Sequence, residues 1–349
     1  MFDDKYYQRV MKDFNYDPLS FSKINFELGK LSSDDLQRKW LCHHDANIFA
    51  QEAQAGEKKC IVSTGFGLSG APHLGTLSQI LRSISLQQAG IPVNMVLGDL
   101  DAYNGKGINL ERTLELAQKY YEFVKKIGFK EDDGSILRSQ FQHDDVLKTS
   151  YLIGRFMDDA MFAQAEEDLH DFYSKKGKVD PEMSYRRKLS LNLMTGDFFH
   201  LHMNEGFDSV MVMLGIDEHK YVQFAKKTLE RAKNEDSESR FNFHISGLYS
   251  PIIRGFNGYP KMSKSFPDSG INLEGSIDEI ADKIRFQEGE FEIPENNVVY
   301  QMIASASRFS LAEIQDAYEA CTTHSQKWRN VKELYIEDLT EIINMWRRI

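Results

Sequence analysis

The sequence predicts an α/β protein, in which a parallel sheet flanked by helices is interrupted by a helical insertion and followed by a helical domain. Three observations lead to this prediction. Strand and helix patterns alternate between about residues 60 and 127, the stretch at about 140–205 is almost wholly helical, and only helical patterns follow residue 276. The 349 residues, 41% of them hydrophobic, suffice for two or three domains, or for one large domain with an appendage, and for a sizeable core.

The first 55 residues predict an N-terminal helical segment. Residues 31–41 indicate a capped helix, because Ser32 or Ser33 can accept a hydrogen bond from its first free N–H groups. Asp34 and Asp35 then fall in the first turn, where negative charge favours a helix.

The alternating pattern begins at residue 60. Residues 60–66 predict a short buried strand, and a glycine-containing loop leads from it into a helix that stops near Gly90. A second strand is predicted at 93–100 and a second helix at 110–127. This order is typical of parallel strands, because parallel neighbours need a crossover connection.

After the insertion, strands are predicted again at 209–215 and near 243–253. Residues 261–273 form a polar loop that contains serine, lysine and glycine, and the helices from 276 onward have acidic starts. We therefore divide the chain into an N-terminal segment (1–55), a central domain (56–275, with the insertion at about 140–205) and a C-terminal helical domain (276–349).

Composition excludes several classes of protein. With 53 acidic and 42 basic residues the net charge is −11, which argues against indiscriminate nucleic-acid binding. No window approaches about 18 uninterrupted apolar residues, and the N-terminus lacks the apolar run of a secretory signal. Cys42, Cys60 and Cys321 have no C-x-x-C spacing, so we expect neither disulfides nor a cysteine zinc site. These features predict a cytoplasmic protein without a membrane span.

The most specific feature is the run Lys261-Met262-Ser263-Lys264-Ser265 in the polar loop. Lys261 and Lys264 present two ammonium groups on flexible stems, which can follow a polyphosphate while its charge moves during a reaction. A bare pair of lysines at this spacing is more often a solvated basic turn. The complete pentapeptide favours the phosphate-binding interpretation.

A second feature, Pro72-His73-Leu74-Gly75-Thr76, lies between the first strand and its helix. Glycine lets a nucleotide approach the backbone closely, and the free N–H groups at the helix start favour phosphate. His73 can donate a hydrogen bond to a phosphate oxygen, although a lone loop histidine is more often incidental. Its place after a buried strand, at the carboxyl edge of a parallel sheet, favours a functional role.

Together these two segments resemble the H-x-G-H and K-M-S-K-S motifs of class I aminoacyl-tRNA synthetases. The resemblance extends to the tryptophanyl/tyrosyl subgroup, because residues 64–75 are similar to its glycine-rich segment and residues 215–220 to its G-x-D-Q segment. It covers about residues 38–290 in the family's order. The family implies that residues 56–275 form a Rossmann-like catalytic domain.

By this resemblance, the carboxylate of an amino acid attacks the α-phosphorus of ATP and releases pyrophosphate. The catalytic residues implied are His73, Thr76, Lys261 and Lys264. The nucleotide-binding residues implied are Gly65, Phe66, Gly75, Asp217, Met262 and Ser263, with adenine near Gly75 and Met262 and ribose near Asp217. Asp217 can also cap the helix predicted at 220–231, and the two roles are compatible. Mg²⁺ is expected on the phosphates, with no metal ligand from the protein.

The resemblance implies an amino-acid pocket whose side-chain reader is Asp197, matching an aspartate that binds a tyrosine hydroxyl or an indole N–H. The alternative is a partly exposed helix carboxylate. Three residues depart from the subgroup: Ser63 replaces a tyrosine, Met194 a glutamine, and Glu218 the glutamine of G-x-D-Q. Glu218 and Asp101 could pair with the α-ammonium, and Ser63 makes room for a larger or more polar side chain.

The resemblance implies a homodimeric enzyme that activates tryptophan or tyrosine and transfers it to tRNA, with Tyr185-Arg186-Arg187-Lys188 near the acceptor stem. A solvated helix start is an equal alternative for that basic run. Two other functions remain open: a paralogue that passes the acyl group to another acceptor, and a non-catalytic nucleotide-binding regulator. The complete lysine motif argues against the regulator.

Overall fold

The computed structural model describes residues 2–19, 24–178, 182–236, 239–323 and 325–349. The described residues form a seven-stranded sheet surrounded by helices. The strands, in chain order, are β1 (Asp17–Pro18), β2 (Cys42–His44), β3 (Cys60–Gly67), β4 (Val93–Gly98), β5 (Ile136–Ser139), β6 (Ser209–Gly215) and β7 (His244–Ser250).

Helices precede, separate and follow these strands. In chain order they are α1 (Asp4–Asp13), α2 (Ser33–Lys39), α3 (Ala46–Ala55), α4 (Leu74–Gln88), α5 (Asp99–Lys106), α6 (Leu110–Ile127), α7 (Asp144–Ile153), α8 (Asp159–Gln164), α9 (His170–Lys175), α10 (Tyr185–Met203), α11 (His219–Glu235), α12 (Ile277–Phe286), α13 (Val298–Ser305), α14 (Leu311–Thr322) and α15 (Gln326–Arg347). Short 3₁₀ helices lie at Gly154–Phe156, Ile216–Glu218, Ser239–Phe241, Phe256–Gly258, Pro267–Ser269 and Pro294–Asn296.

The strand order across the sheet is β1-β2-β7-β6-β3-β4-β5. The five strands from β7 to β5 run parallel to one another, and β2 and β1 join the β7 edge in antiparallel pairing. From β3 the chain proceeds to β4 on one side, whereas β6 lies on the other side and leads away to β7. The sheet therefore has a switch point between β3 and β6, where open sheets of this kind bind ligands.

The predicted α/β fold is confirmed, with differences at the ends of strands. The strand predicted at 93–100 stops at Gly98, because Asp99 already starts α5 and its side chain accepts the N–H of Leu100 at 2.8 Å. β5 is not predicted by the sequence. It has four residues, of which only Ile136 and Leu137 are apolar, and within the described ranges it pairs with β4 alone.

The N-terminal segment contains the capped helix as α2. The hydroxyl of Ser32 accepts the N–H of Asp35 at 3.2 Å, and the Asp35 carboxylate accepts the N–H of Ser32 at 2.8 Å. The structure differs from the helical expectation at Cys42–His44, which forms β2. Its pairing with β7 satisfies backbone groups that would otherwise lie at an open sheet edge.

Apolar residues pack on both faces of the sheet. One cluster joins α4 and α6 to the C-terminal helices, and the other lies beneath α1, α10 and α11. Because the first cluster continues across residue 275, the three-part domain division stays a prediction. Cys42, Cys60 and Cys321 are buried free thiols. Among the helices of the described ranges, none has the length and apolar character needed to cross a membrane.

Trp346 joins α15 to the central domain. Its ring is fully buried, with centroids 5.0 Å from Tyr120 and 5.4 Å from Phe123 of α6. We expect Trp346→Ala to lower the free energy of unfolding by about 3–5 kcal/mol, since it leaves a large cavity. Leu334→Ala on the same helix, where the side chain is 56% exposed, should change it by less than about 0.5 kcal/mol. Urea denaturation measures both, and equal losses would contradict this anchoring role.

Candidate functional site

The carboxyl ends of β3 and β6 flank the switch point of the sheet, where open α/β sheets bind ligands. We call the region between these two strand ends the crevice. β3 ends at Gly67 and leads through a loop into α4, whereas β6 ends at Gly215 and leads through Ile216–Glu218 into α11. The predicted nucleotide residues Gly65 and Phe66 lie at the end of β3. A Cβ at Gly65 would lie 2.8 Å from the carbonyl oxygen of Val96, so the close pairing of β3 and β4 requires glycine there.

His73 caps the first turn of α4. Its Nδ1 accepts the backbone N–H of Thr76 at 3.1 Å. A neutral imidazole that accepts at Nδ1 carries its proton on Nε2. The ring therefore offers an N–H donor beside the free backbone N–H groups of the helix start, which also favour an anion.

Gly75 allows the His73 ring to take this position. A Cβ at Gly75 would lie 2.8 Å from Cε1 of His73, closer than side chains tolerate. Burial, followed by the charges of Lys264 and Lys261, lowers the pKa of His73 to about 3. His73 is therefore neutral at physiological pH and is a hydrogen-bond donor, not a cation.

The loop at 261–273 lies against the segment before α4. The N–H of Leu273 donates to the carbonyl of Pro72 at 2.9 Å, and the N–H of Leu74 donates to the carbonyl of Ile271 at 3.3 Å. Lys264 donates from Nζ to the carbonyl of Gly70 at 3.2 Å. The two motifs, far apart in sequence, thus line one crevice.

Internal hydrogen bonds shape the lysine-containing loop. The N–H of Ser263 donates to the hydroxyl of Ser269 at 2.9 Å, and the N–H of Ser265 donates to the hydroxyl of Ser263 at 3.2 Å. The side chains of Met262 and Thr76 are each only 4% exposed. The expected contact of the Thr76 hydroxyl with ATP therefore gains little support, and Met262 can line a nucleotide site chiefly through its backbone.

The two lysines of the motif have different electrostatic surroundings. Lys261 forms an ion pair with Asp217, which is buried just beyond β6. Burial opposes the charge of Lys261, but the carboxylates of Asp217 and Glu167 hold its pKa well above the usual value. Burial and the charge of Lys106 instead lower the pKa of Lys264 to about 8. A neutral N–H donor, a helix start and two lysines together suit a polyphosphate.

The predicted amino-acid residues lie beside this crevice. Ser63 is fully buried on β3, and its hydroxyl accepts the side-chain N–H of Asn94 at 3.0 Å. Asp101 is in the first turn of α5, where its N–H donates to Oε1 of Gln140 at 3.1 Å. Burial raises the pKa of the Asp101 carboxyl. Met194 is half-buried on α10 and packs at the edge of the apolar cluster beneath that helix.

Glu218 is half-buried beside Asp217. Burial raises its pKa, and the charges of Asp217 and Glu167 raise it further. With a pKa raised to about 8, Glu218 carries a proton at neutral pH, so the predicted ion pair with an α-ammonium requires that the ammonium displace this proton.

Asp197 is buried on α10, with 2% of its side chain exposed. Oδ2 accepts a hydrogen bond from Nε2 of Gln140 at 2.9 Å, and Oδ1 lies 3.8 Å from Nη2 of Arg138. Oδ1 accepts no hydrogen bond from the described part of the chain. Burial raises the pKa of Asp197 to about 6, although Arg138 acts against this rise. The alternative of a partly exposed helix carboxylate is wrong.

Arg138, Gln140 and Glu167 belong to this region but are not identified from the sequence. Arg138 lies on β5, the strand that the sequence does not predict, and Gln140 lies just after it. Glu167 lies in the insertion without a recognisable motif. The sequence does contain one signal for Arg138 and Gln140. Polar residues follow an apolar pair at 136–137, just as Asp99 follows the strand β4.

Comparison with solved structures supports the fold. The tryptophanyl-tRNA synthetase of Aeropyrum pernix superposes with a TM-score of 0.76 at 18% identity, covering 99% of this chain and 93% of that protein. A tryptophanyl-tRNA synthetase from Encephalitozoon cuniculi, bound to tryptophan, superposes with a TM-score of 0.71 at 16% identity, covering 98% and 95%. Identities this low establish the architecture alone.

Sequence comparison identifies the family. The tyrosine–tRNA ligase of Methanobrevibacter smithii is 25% identical over 229 residues, covering 64% of this chain and 64% of that enzyme. The tryptophan–tRNA ligase of Thermoplasma volcanium is 23% identical over 337 residues, covering 80% and 76%. The model of the family described as tRNA synthetases class I (W and Y) matches residues 54–344. The chain therefore belongs to the class I tRNA synthetases of the tryptophanyl and tyrosyl type.

Proposed function

We propose that the protein activates an amino acid with ATP to form an aminoacyl-adenylate and then transfers the aminoacyl group to tRNA. The observation that carries this proposal is the junction of the two motifs. The backbone bonds of Leu74 and Leu273, with the contact of Lys264 to Gly70, hold the lysine-containing loop beside the start of α4. The charges of Lys264 and Lys261 both act on His73 at that start. A nucleoside triphosphate in the crevice would contact both lysines and the start of α4 at once.

Activation needs no nucleophile from the protein, because the carboxylate of the amino acid attacks the α-phosphorus directly. The protein contributes position and charge. We assign His73 as an N–H donor to the phosphates, and Lys261 and Lys264 as cations that follow the departing pyrophosphate. Mg²⁺ is proposed to be held by the phosphates, where it would offset their charge. The described residues contain no group of three or more histidines, cysteines or acids positioned to hold a metal ion.

We propose tryptophan or tyrosine as the amino acid, with Asp197 accepting the indole N–H or the hydroxyl. Two observations support this choice. Oδ1 of Asp197 is a buried acceptor that needs a donor, and the Encephalitozoon relative binds tryptophan. A site that hydrogen-bonds a polar substrate group rejects analogues that lack it. Glu218 and Asp101 are proposed to attract the α-ammonium.

The proposed acceptor is tRNA, held in part by the C-terminal helices. For two residues of the basic run at the start of α10, ion pairs within the chain support a third role besides contact with the acceptor stem and a solvated helix start. Arg187 forms an ion pair with Glu166, and Lys188 forms one with Asp159, each at 2.6 Å. We therefore give these two side chains a role in holding the insertion together. A cytoplasmic location remains part of the proposal, supported by the three free thiols.

ATP–pyrophosphate exchange, measured with each standard amino acid in turn, tests the proposed activity. We expect exchange with tryptophan or tyrosine, followed by charging of tRNA. Exchange without charging of total tRNA would indicate another acceptor. Exchange with no amino acid would overturn the proposed activation and favour a nucleotide-binding regulator.

Replacing Lys264 by Ala should lower the rate of exchange by about 100-fold or more, because a cation next to the reacting phosphates is removed. The KM for the amino acid should change little, since Lys264 lies on the phosphate side of the crevice. Lys58→Ala is the matched control, because Lys58 is half-exposed and precedes β3 at the opposite edge of the sheet. Steady-state exchange kinetics give both values. An equal loss of amino-acid affinity would mean that the role of Lys264 is wrongly assigned.

We also propose a homodimer that forms through α7 and the residues before it. Four large apolar side chains are exposed there: Phe141 (44%), Leu147 (41%), Tyr151 (86%) and Leu152 (52%). A cluster of this kind on one segment is typical of an interface between proteins.

Light scattering of the purified protein should give twice the mass of one chain. Tyr151→Glu should give a monomer, because a charge would then lie inside the proposed interface. Phe286→Glu introduces the same charge at another exposed aromatic residue, at the end of α12, and should leave the dimer intact. A monomeric wild-type protein, or equal behaviour of the two variants, would rule out this interface.

A further inference from the structure

Arg138 is a buried cation that none of the sequence motifs includes. It lies on β5 with 1% of its side chain exposed. Nη2 lies 3.8 Å from Oδ1 of Asp197 and donates to the backbone carbonyl of Asp197 at 3.4 Å. Nη1 donates to Oε1 of Glu205 at 3.3 Å. The guanidinium thus links two carboxylates. That of Asp197, on α10, is fully buried, and that of Glu205, just after α10, is a third exposed.

The geometry leaves one acceptor available. Gln140 occupies Oδ2 of Asp197, whereas Arg138 lies near Oδ1 without forming a hydrogen bond to it. A buried carboxylate without a nearby cation would take up a proton, because burial disfavours the charged form. A protonated carboxyl would lose most of its strength as an acceptor. The cation beside Oδ1 therefore preserves an acceptor that nothing else in the described structure uses.

We propose that Arg138 is a positioning residue that determines amino-acid specificity. It holds the Asp197 carboxylate ionised and oriented, so that Oδ1 accepts a hydrogen bond from the side chain of the substrate. This inference rests on the proposed function, in which Asp197 contacts that side chain. Amino acids whose side chains lack an N–H or O–H donor leave Oδ1 unpaired and are rejected.

The charged and titratable groups that act on Asp197 come from three elements. Arg138 is on β5, His200 is one turn further along α10, and Asp99 starts α5. α7 also packs on α10, but the residue that it presents at Gly196 is the uncharged Ser150. Burial raises the pKa of Asp197 to about 6, and Asp99 adds to the rise. Arg138 is the largest opposing influence, followed by the hydrogen bond from Gln140 and the charge of His200.

Arg138→Gln and Glu205→Gln should shift the pH dependence of the KM for the amino acid in opposite directions. In the wild type, the KM for the amino acid should increase as the pH falls through about 6, where Asp197 becomes protonated. Arg138→Gln keeps a hydrogen-bonding side chain but removes the charge, so this increase should begin at higher pH. At pH 6.5 the KM should rise about three- to tenfold. Glu205→Gln removes the competing acid of Arg138, so the increase should begin at lower pH.

Exchange kinetics between pH 5.5 and about 8.5 measure these shifts, with the KM for ATP as an internal reference that should not move with them. Arg138→Lys keeps the charge and should restore the wild-type profile. A purely structural link between β5 and α10 would be weakened by both Arg138→Gln and Glu205→Gln, without shifts of opposite sign. If Arg138→Gln does not fold, the downward shift in Glu205→Gln decides. Unshifted profiles would overturn the proposal.

A measurement that needs no activity separates this proposal from the proposed function. The difference in unfolding free energy between the protein and its Asp197→Asn variant reports the Asp197 pKa. Because that pKa is raised in the folded state, stability from Asp197 is full below 3.8 and is lost as the pH rises to about 6. In Arg138→Gln the loss should extend to higher pH. An unchanged window would overturn the effect of Arg138 even if the enzyme activates no amino acid.

Discussion

The short backbone pairing between residues 72–74 and 271–273 is the constraint on which the rest of the site depends. Only two hydrogen bonds are involved, between Leu273 and Pro72 and between Leu74 and Ile271. They fix the end of the lysine-containing loop against the start of α4, so Lys264 reaches Gly70. Without this pairing, a helix start and a flexible cationic loop would each be an ordinary surface feature. With it, they form two sides of one crevice at the switch point.

The charges in the crevice suit a ligand whose own charge changes during the reaction. Burying an ammonium group is unfavourable unless an anion accompanies it. Asp217 provides that anion for Lys261, and Glu167 adds to it. Lys264, in contrast, contacts only the partial charge of a carbonyl among the described residues, and its pKa is lowered. Under the proposed function, the phosphates of ATP would supply the missing charge to Lys264 and compete with Asp217 for Lys261.

The phosphate side of the site could be predicted from the sequence because it depends on local structure. His73, Gly75 and Thr76 lie within one turn of the same helix, so their arrangement follows from the capping geometry alone. Lys261 and Lys264 belong to one recognisable pentapeptide. Where tertiary contacts decide, the sequence was less informative: the side chain of Met262 is part of the core, and Cys42–His44 takes its strand conformation from the edge of β7.

The amino-acid side of the site could be predicted from the sequence less completely than the phosphate side. Asp197 could be placed by resemblance, but its partners Arg138 and Gln140 could not, since they lie on and just after an unpredicted four-residue strand. What Asp197 can bind depends on those partners. Its burial would favour a neutral carboxyl, and its neighbours decide whether it remains an acceptor. Activation therefore depends on backbone groups and lysines that would bind ATP whichever amino acid is used. Selection of the amino acid depends instead on side chains that only the folded sheet brings together.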